Sequence, residues 1–262
     1  MIRGFVAGLS LVLFGLAKLP VEHAISEEHR HLHFRAVDFN LDLREQVGQL
    51  GFVAALSGFR SLVADALFIQ AHGAWERTEW GRVLFLFRQI TMLQPRALLF
   101  WDMAAWHMAW NAGTAALDDR AQPRLALRLK AQREYFALGK DFLERGIRSN
   151  PDRPQLYEAL GRLYRDKYND HEQAAEFFAK SASLPGAPSY VKRFAAYELA
   201  QCPGREQEAY EKLHALYHSS EEERVPTLLR RLKELEIQLD IPSDQRIPDS
   251  SPYGLVHALR HP

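Results

Sequence analysis

A single cysteine, Cys202, in 262 residues excludes an internal disulfide and the paired thiolates of a structural zinc site. Net charge is lacking as well. The 33 Lys and Arg residues balance 33 Asp and Glu, so no basic excess is left to neutralise phosphates, which argues against a nucleic-acid partner. The marks of the common catalytic sites are missing: there is no GxSxG elbow, no glycine-rich phosphate loop and no HExxH helix. His107 follows Asp102 by five residues and His171 precedes Glu172, but neither pair has a nucleophile or third partner at a recognisable spacing. Hydrophobic residues at 47% and charged residues at 25% are ordinary for a globular chain. A core is therefore expected, with no catalysis and no cofactor.

Long apolar runs are few. Residues 5–17 form one, broken only by glycine and serine, with Arg3 before it and Lys18 after it. The run is short against the roughly 20 residues of a full span and falls within the range of a secretory h-region. Residues 1–20 are read as an uncleaved signal anchor, with a cleaved signal peptide and a buried N-terminal helix as alternatives. Arg3 and the amino terminus hold the short leading end inside. The expectation is a single-pass protein of the cytoplasmic membrane, its body on the extracytoplasmic side. Residues 21–48 make a polar linker in which His29, His31 and His33 alternate. On a strand these three imidazoles face one side and could hold a metal, but a solvated linker is the preferred reading, since no acidic or cysteine ligand stands at a defined spacing nearby. The apolar stretch 49–70 contains Arg60 and Asp65, which are costly in lipid, and is read as a buried opening helix broken near Ser57 and Gly58.

Residues 157–185 read as two short amphipathic helices closed by a proline. The first carries Tyr157, Leu160, Gly161 and Tyr164, and the second Ala174, Phe178 and Ser181. Gly161 and Ala174 allow the two helices to cross closely. Pro185 and Pro151 are 34 residues apart, while Pro151 and Pro95 are 56 apart, one period plus 22. Trp101, Ala104, Ala105 and Met108 match Tyr157, Leu160, Gly161 and Tyr164 in phase. This pattern resembles the tetratricopeptide repeat, whose period is about 34 residues. Gly58-Phe59-Arg60 followed by Ala64-Asp65 resembles a feature of membrane-anchored bacterial proteins of that type.

The resemblance implies an all-α fold: a right-handed superhelix of about four helix pairs within residues 49–240. The repeats fall near 64–97, 98–153, 154–187 and 188–219. A capping helix follows at 221–239, with Leu228, Leu232, Leu235 and Leu239 on one face, and then a proline-rich tail at 241–262. Gln70 stands where leucine is expected in the first repeat. The extra residues of the second repeat are placed at 113–133 as a loop and a lengthened helix, and Pro203-Gly204 bends the connection of the fourth.

In this family the first helix of each pair lines the concave surface. That implies a groove built from Asp65, Phe68, His72, Trp75 and Glu76, then Leu99, Asp102, Trp106, Ala109 and Trp110. It continues through Gln155, Glu158, Arg162, Arg165 and Asp166, with Lys192 from the fourth repeat. Tryptophan anchors and an arginine clamp on a carboxylate suit an extended or helical peptide. Trp101 has a packing position, and Asn111 is read as capping a helix end. The function expected is that of a non-catalytic, membrane-anchored scaffold that binds another protein. A structural subunit of a larger membrane complex and a metal-binding protein using His29, His31 and His33 are the alternatives.

Overall fold

The computed structural model describes residues 58–248. The apolar run at 5–17, the linker with His29, His31 and His33, and the tail beyond residue 248 lie outside the described residues. Every regular element among the described residues is helical.

The first helix, α1 (Arg60–Glu76), begins four residues before the expected repeat boundary. Its buried residues are Ala64, Leu67, Ala71 and Ala74, a three-to-four-residue rhythm that turns one face to the core. Gln70, at the position where leucine is expected, points to solvent. Thr78 takes a left-handed backbone (φ 56°) and α2 (Trp80–Leu93) starts two residues later. So short a link folds α2 back along α1 as a hairpin. Helix α2 buries Val83, Leu84, Phe85, Leu86, Phe87 and Ile90, as a helix packed on several sides must.

The next helix runs from Leu98 to Asp118 in three parts: α3 (Leu98–Trp106), a π-helical stretch (His107–Ala112) and α4 (Gly113–Asp118). The loop and lengthened helix expected over 113–133 take the form of a loop at residues 119–124 and the long α5 (Leu125–Ser149), after α4. Gly113 stays helical because Phe136 of α5 packs into the space its side chain would fill. A Cβ there would lie 2.7 Å from the Phe136 ring. Asn111 therefore lies inside a helix rather than at its end.

The third unit has α6 (Pro154–Leu163), with proline at its first position where no N–H is needed. It passes into a second π-helical stretch (Tyr164–Tyr168) and stops at Asn169, whose φ is +53°. Asp170 caps α7 (His171–Ala182) by accepting from the Gln173 N–H at 3.0 Å. A Cβ on Gly161 would meet the Phe178 ring at 2.9 Å, so the close crossing read from the sequence is present. Helices α8 (Tyr190–Leu199) and α9 (Glu206–Ser219) are joined through Gly204, φ +81°, as the Pro203-Gly204 bend requires.

Two relations recur from unit to unit. The Trp101 indole N–H donates to the Pro95 carbonyl at 3.0 Å, and the Tyr157 hydroxyl donates to the Pro151 carbonyl at 3.1 Å, six residues back in both cases. The two π-helical stretches also end 56 residues apart, at Ala112 and Tyr168, the offset that separates Trp101 from Tyr157. The first helices lie side by side. Phe68 meets Phe100 at 5.5 Å between ring centroids and Trp75 meets His107 at 5.7 Å, so both contacts advance seven residues together and α1 and α3 point the same way.

The last helix, α10 (Pro226–Gln238), buries Leu228, Leu229, Leu232 and Leu235 against α9. The chain after it is docked through residue 248. Ile247 is buried, its N–H donates to Glu236 Oε1 at 2.7 Å, and Lys233 donates to its carbonyl. Among the described residues no helix is long and apolar enough to cross a membrane.

Candidate partner-binding face

The nominated residues of α1 and α3 gather around one histidine. His107 is buried, with the rings of Trp75, Phe87 and Trp106 at 5.7, 5.4 and 5.1 Å. The π-helical stretch brings Asn111 Nδ2 to 3.1 Å from His107 Nδ1. An amide NH2 only donates, so Nδ1 accepts and the proton sits on Nε2. Burial pushes the imidazole down to about 4, and the charge of His72 adds to that. His107 is thus neutral at ordinary pH, and sequence reading alone gives it no role. Its signal was available: it stands between Trp106 and Trp110 in a run of helical aromatics.

From this base the face rises to exposed side chains. Phe68 lies half-buried against Phe87 and Phe100. His72 and Glu76 are exposed and 3.6 Å apart, with the His72 ring 5.2 Å from Trp75. Trp106 keeps 45% of its surface in solvent and Leu99 keeps 59%, on the same side of α3 as Asp102. Asp65 is exposed on α1 and makes no ion pair with a described residue. Ala109, nominated with these, is fully buried and belongs to the core.

The charged residues nominated farther along are engaged with one another. Arg162 lies between Asp102 at 3.7 Å and Glu158 at 3.8 Å, too long for hydrogen bonds, and its buried Nε has no acceptor. Glu158 accepts from the Tyr190 hydroxyl at 3.1 Å, so this chain of polar contacts runs from α3 through α6 to α8. Burial raises the Asp102 carboxyl above its usual range, against the opposing pull of Arg162. Arg165 donates to Asp166 at 2.6 Å and lies over Phe178 and Phe194. Trp110 is half-buried under the Lys167 ammonium, 5.0 Å from the ring centroid. Lys192 and Gln155 are exposed.

His72, Trp75, Phe68 and Trp106 are thus linked by ring contacts that meet at His107 and Phe87, and Asp65 and Asp102 lie exposed on the same two helices, making up the candidate face. Arg162 adjoins it through Asp102, while Arg165, Trp110 and Lys192 stand apart from it. Comparison with protein-family models and with curated proteins finds no match. Among the described residues no three His, Cys, Asp or Glu side chains are grouped to hold a metal ion.

Proposed function

We propose that this chain is a non-catalytic scaffold of the tetratricopeptide type, anchored to the membrane through residues 1–20, that holds another protein on the face of its first helices. The carrying observation is the side-by-side row α1, α3, α6 and α8, joined by Phe68–Phe100, Trp75–His107, Asp102–Arg162 and Glu158–Tyr190. A row of parallel first helices is the concave layer of a superhelix in that family. Its N-terminal half offers Trp106, Leu99 and His72 to solvent over a fixed aromatic base. A half-exposed tryptophan beside a carboxylate is the kind of anchor on which protein interfaces depend. Because Arg162 and Arg165 are already occupied by carboxylates of their own chain, affinity comes from the aromatic half rather than from an arginine clamp.

The test is affinity recovery of partners from detergent-extracted full-length protein, with a His72→Ala/Trp106→Ala variant beside the wild type. Loss of a wild-type partner at unchanged helicity supports the reading. Equal recovery of every partner removes the first-helix face as the interface.

A further inference from the structure

The second unit overhangs its neighbours. Helix α5 has 25 residues where α7 has 12, which at about 1.5 Å per residue makes α5 longer by roughly 20 Å. The excess lies at its N-terminal end, beside α4. None of residues 114–134 is buried, and only the partly buried Ala116 packs on the core beyond the pairing of Phe136 with Gly113. Leu125 and Leu127 stand 54% and 39% exposed, and Leu117 and Leu129 are only half-covered.

Charge is uneven here too. Residues 120–133 hold Arg120, Arg124, Arg128, Lys130 and Arg133, and with Asp118, Asp119 and Glu134 at the two edges the tip at 114–134 keeps five cations against three acids, an excess of two in a chain whose totals balance. Lys130 is paired with Glu134 at 3.8 Å, and Arg128 donates to the Leu117 carbonyl at 3.0 Å, closing the tip. Arg120, Arg124 and Arg133 make no ion pair with a described residue.

We infer that this overhanging tip is a second, peripheral contact with the membrane, one that binds anionic phospholipid headgroups. Leucine interleaved with arginine is the composition of elements that lie in the headgroup region, apolar side chains reaching the acyl boundary and guanidinium groups meeting phosphates. A polyanion in water would leave the leucines uncovered, and residues 114–134 contain no aromatic ring on which a base could stack. The inference rests on the membrane reading above only for bringing a bilayer within reach.

The test uses the full chain with Cys202→Ser and Leu127→Cys, the new thiol carrying an environment-sensitive fluorophore, added to vesicles of phosphatidylcholine alone or with phosphatidylglycerol. Flotation reports attachment of the whole chain, and quenching by lipids brominated in their acyl chains reports the tip. Quenching in the anionic vesicles, reduced about tenfold or more in an Arg120→Gln/Arg124→Gln/Arg133→Gln variant, is expected, since each cation near such a surface counts for roughly fivefold. Flotation with an unquenched probe keeps the anchor and overturns the tip. Quenched probe in anionic vesicles with no flotation on neutral ones keeps the tip and removes the anchor. Probe emission already blue-shifted without lipid overturns the inference, because another part of this chain then covers the leucines. A shift produced by oligonucleotide and not by vesicles also overturns it, in favour of nucleic acid.

Discussion

Asp102 of α3 and Arg162 of α6 stand 3.7 Å apart and tie the first helices of two successive units together across their exposed edge. Both side chains are about half in water, and neither makes a hydrogen bond to the other. A double-mutant cycle with Asp102→Asn and Arg162→Gln should therefore give a coupling below about 1 kcal/mol. Arg162→Glu places a third carboxylate beside Asp102 and Glu158 and should lower the thermal midpoint more than Arg162→Gln does. Equal midpoints for the two substitutions would show that the pair contributes nothing to holding α3 against α6.

His107 predicts a pH dependence of stability. Its folded pKa is depressed to about 4 while an exposed imidazole titrates near 6.5, so the unfolded chain binds the proton first. The stabilisation is complete above about pH 6.5 and is lost as pH falls toward 4, by on the order of 3 kcal/mol. Asp102 opposes it, since a raised carboxyl favours the folded state as acid is added. Urea unfolding at pH 7 and pH 4.5 should show the loss in the wild type. A His107→Gln variant should lose distinctly less between the two pH values, and parallel slopes would place the acid sensitivity elsewhere.

Gly139 tests the packing of α5 on α3. A Cβ there would come within 2.8 Å of the Ala109 methyl and 2.9 Å of the Ala105 carbonyl oxygen, and backbone cannot move aside as a side chain can. Gly139→Ala should cost about 1–3 kcal/mol by overpacking, and Gly139→Val more, measured by chemical denaturation. Gly73 serves as the comparison, since its Cβ would lie 3.5 Å from the mobile Arg77 guanidinium. Gly73→Ala should be neutral or stabilising by helix propensity.

The docked segment after α10 should matter for stability. Ile247 is 5% exposed and covers the leucine face of the capping helix. Ile247→Ala should cost roughly 2–4 kcal/mol, as for other large aliphatic truncations in a core. A chain ending at residue 240 should lose more, because Glu236, fully buried, would also lose the Ile247 N–H it accepts from. A truncated protein with an unchanged midpoint would show that the segment is ornamental.

What the sequence made legible was phase. Gly161 against Phe178, the leucine face of α10 and the bend at Gly204 follow from local rules of spacing and backbone freedom, and they appear where those rules put them. The π-helical stretches did not, because a wide turn is stabilised by its surroundings and leaves no residue signature in HMAWNA or YRDKY. The loop and lengthened helix read over residues 113–133 take the form of a loop at 119–124 and the long α5, whereas the helical state of Gly113 depends on Phe136, too far along the chain for local spacing to show. On the candidate face, Trp106 and His72 are exposed. Arg162 and Trp110 could not be assigned from one strand of sequence, because their partners Asp102 and Lys167 are about 60 residues away.

The π-helical stretches in two successive units carry a practical consequence. A turn that closes over one additional residue rotates every later side chain relative to its place in the numbering, so directions counted from Leu98 or from Pro154 fail once residues 107 and 164 are passed. An alignment that keeps constant spacing through these points assigns inward residues to the outside of the helix. Deleting one residue within residues 107–112 should restore a regular helix and swing α4, with the leucine tip beyond it, to a different heading. The length of a single turn thus fixes the direction in which the arginines of residues 120–133 are aimed.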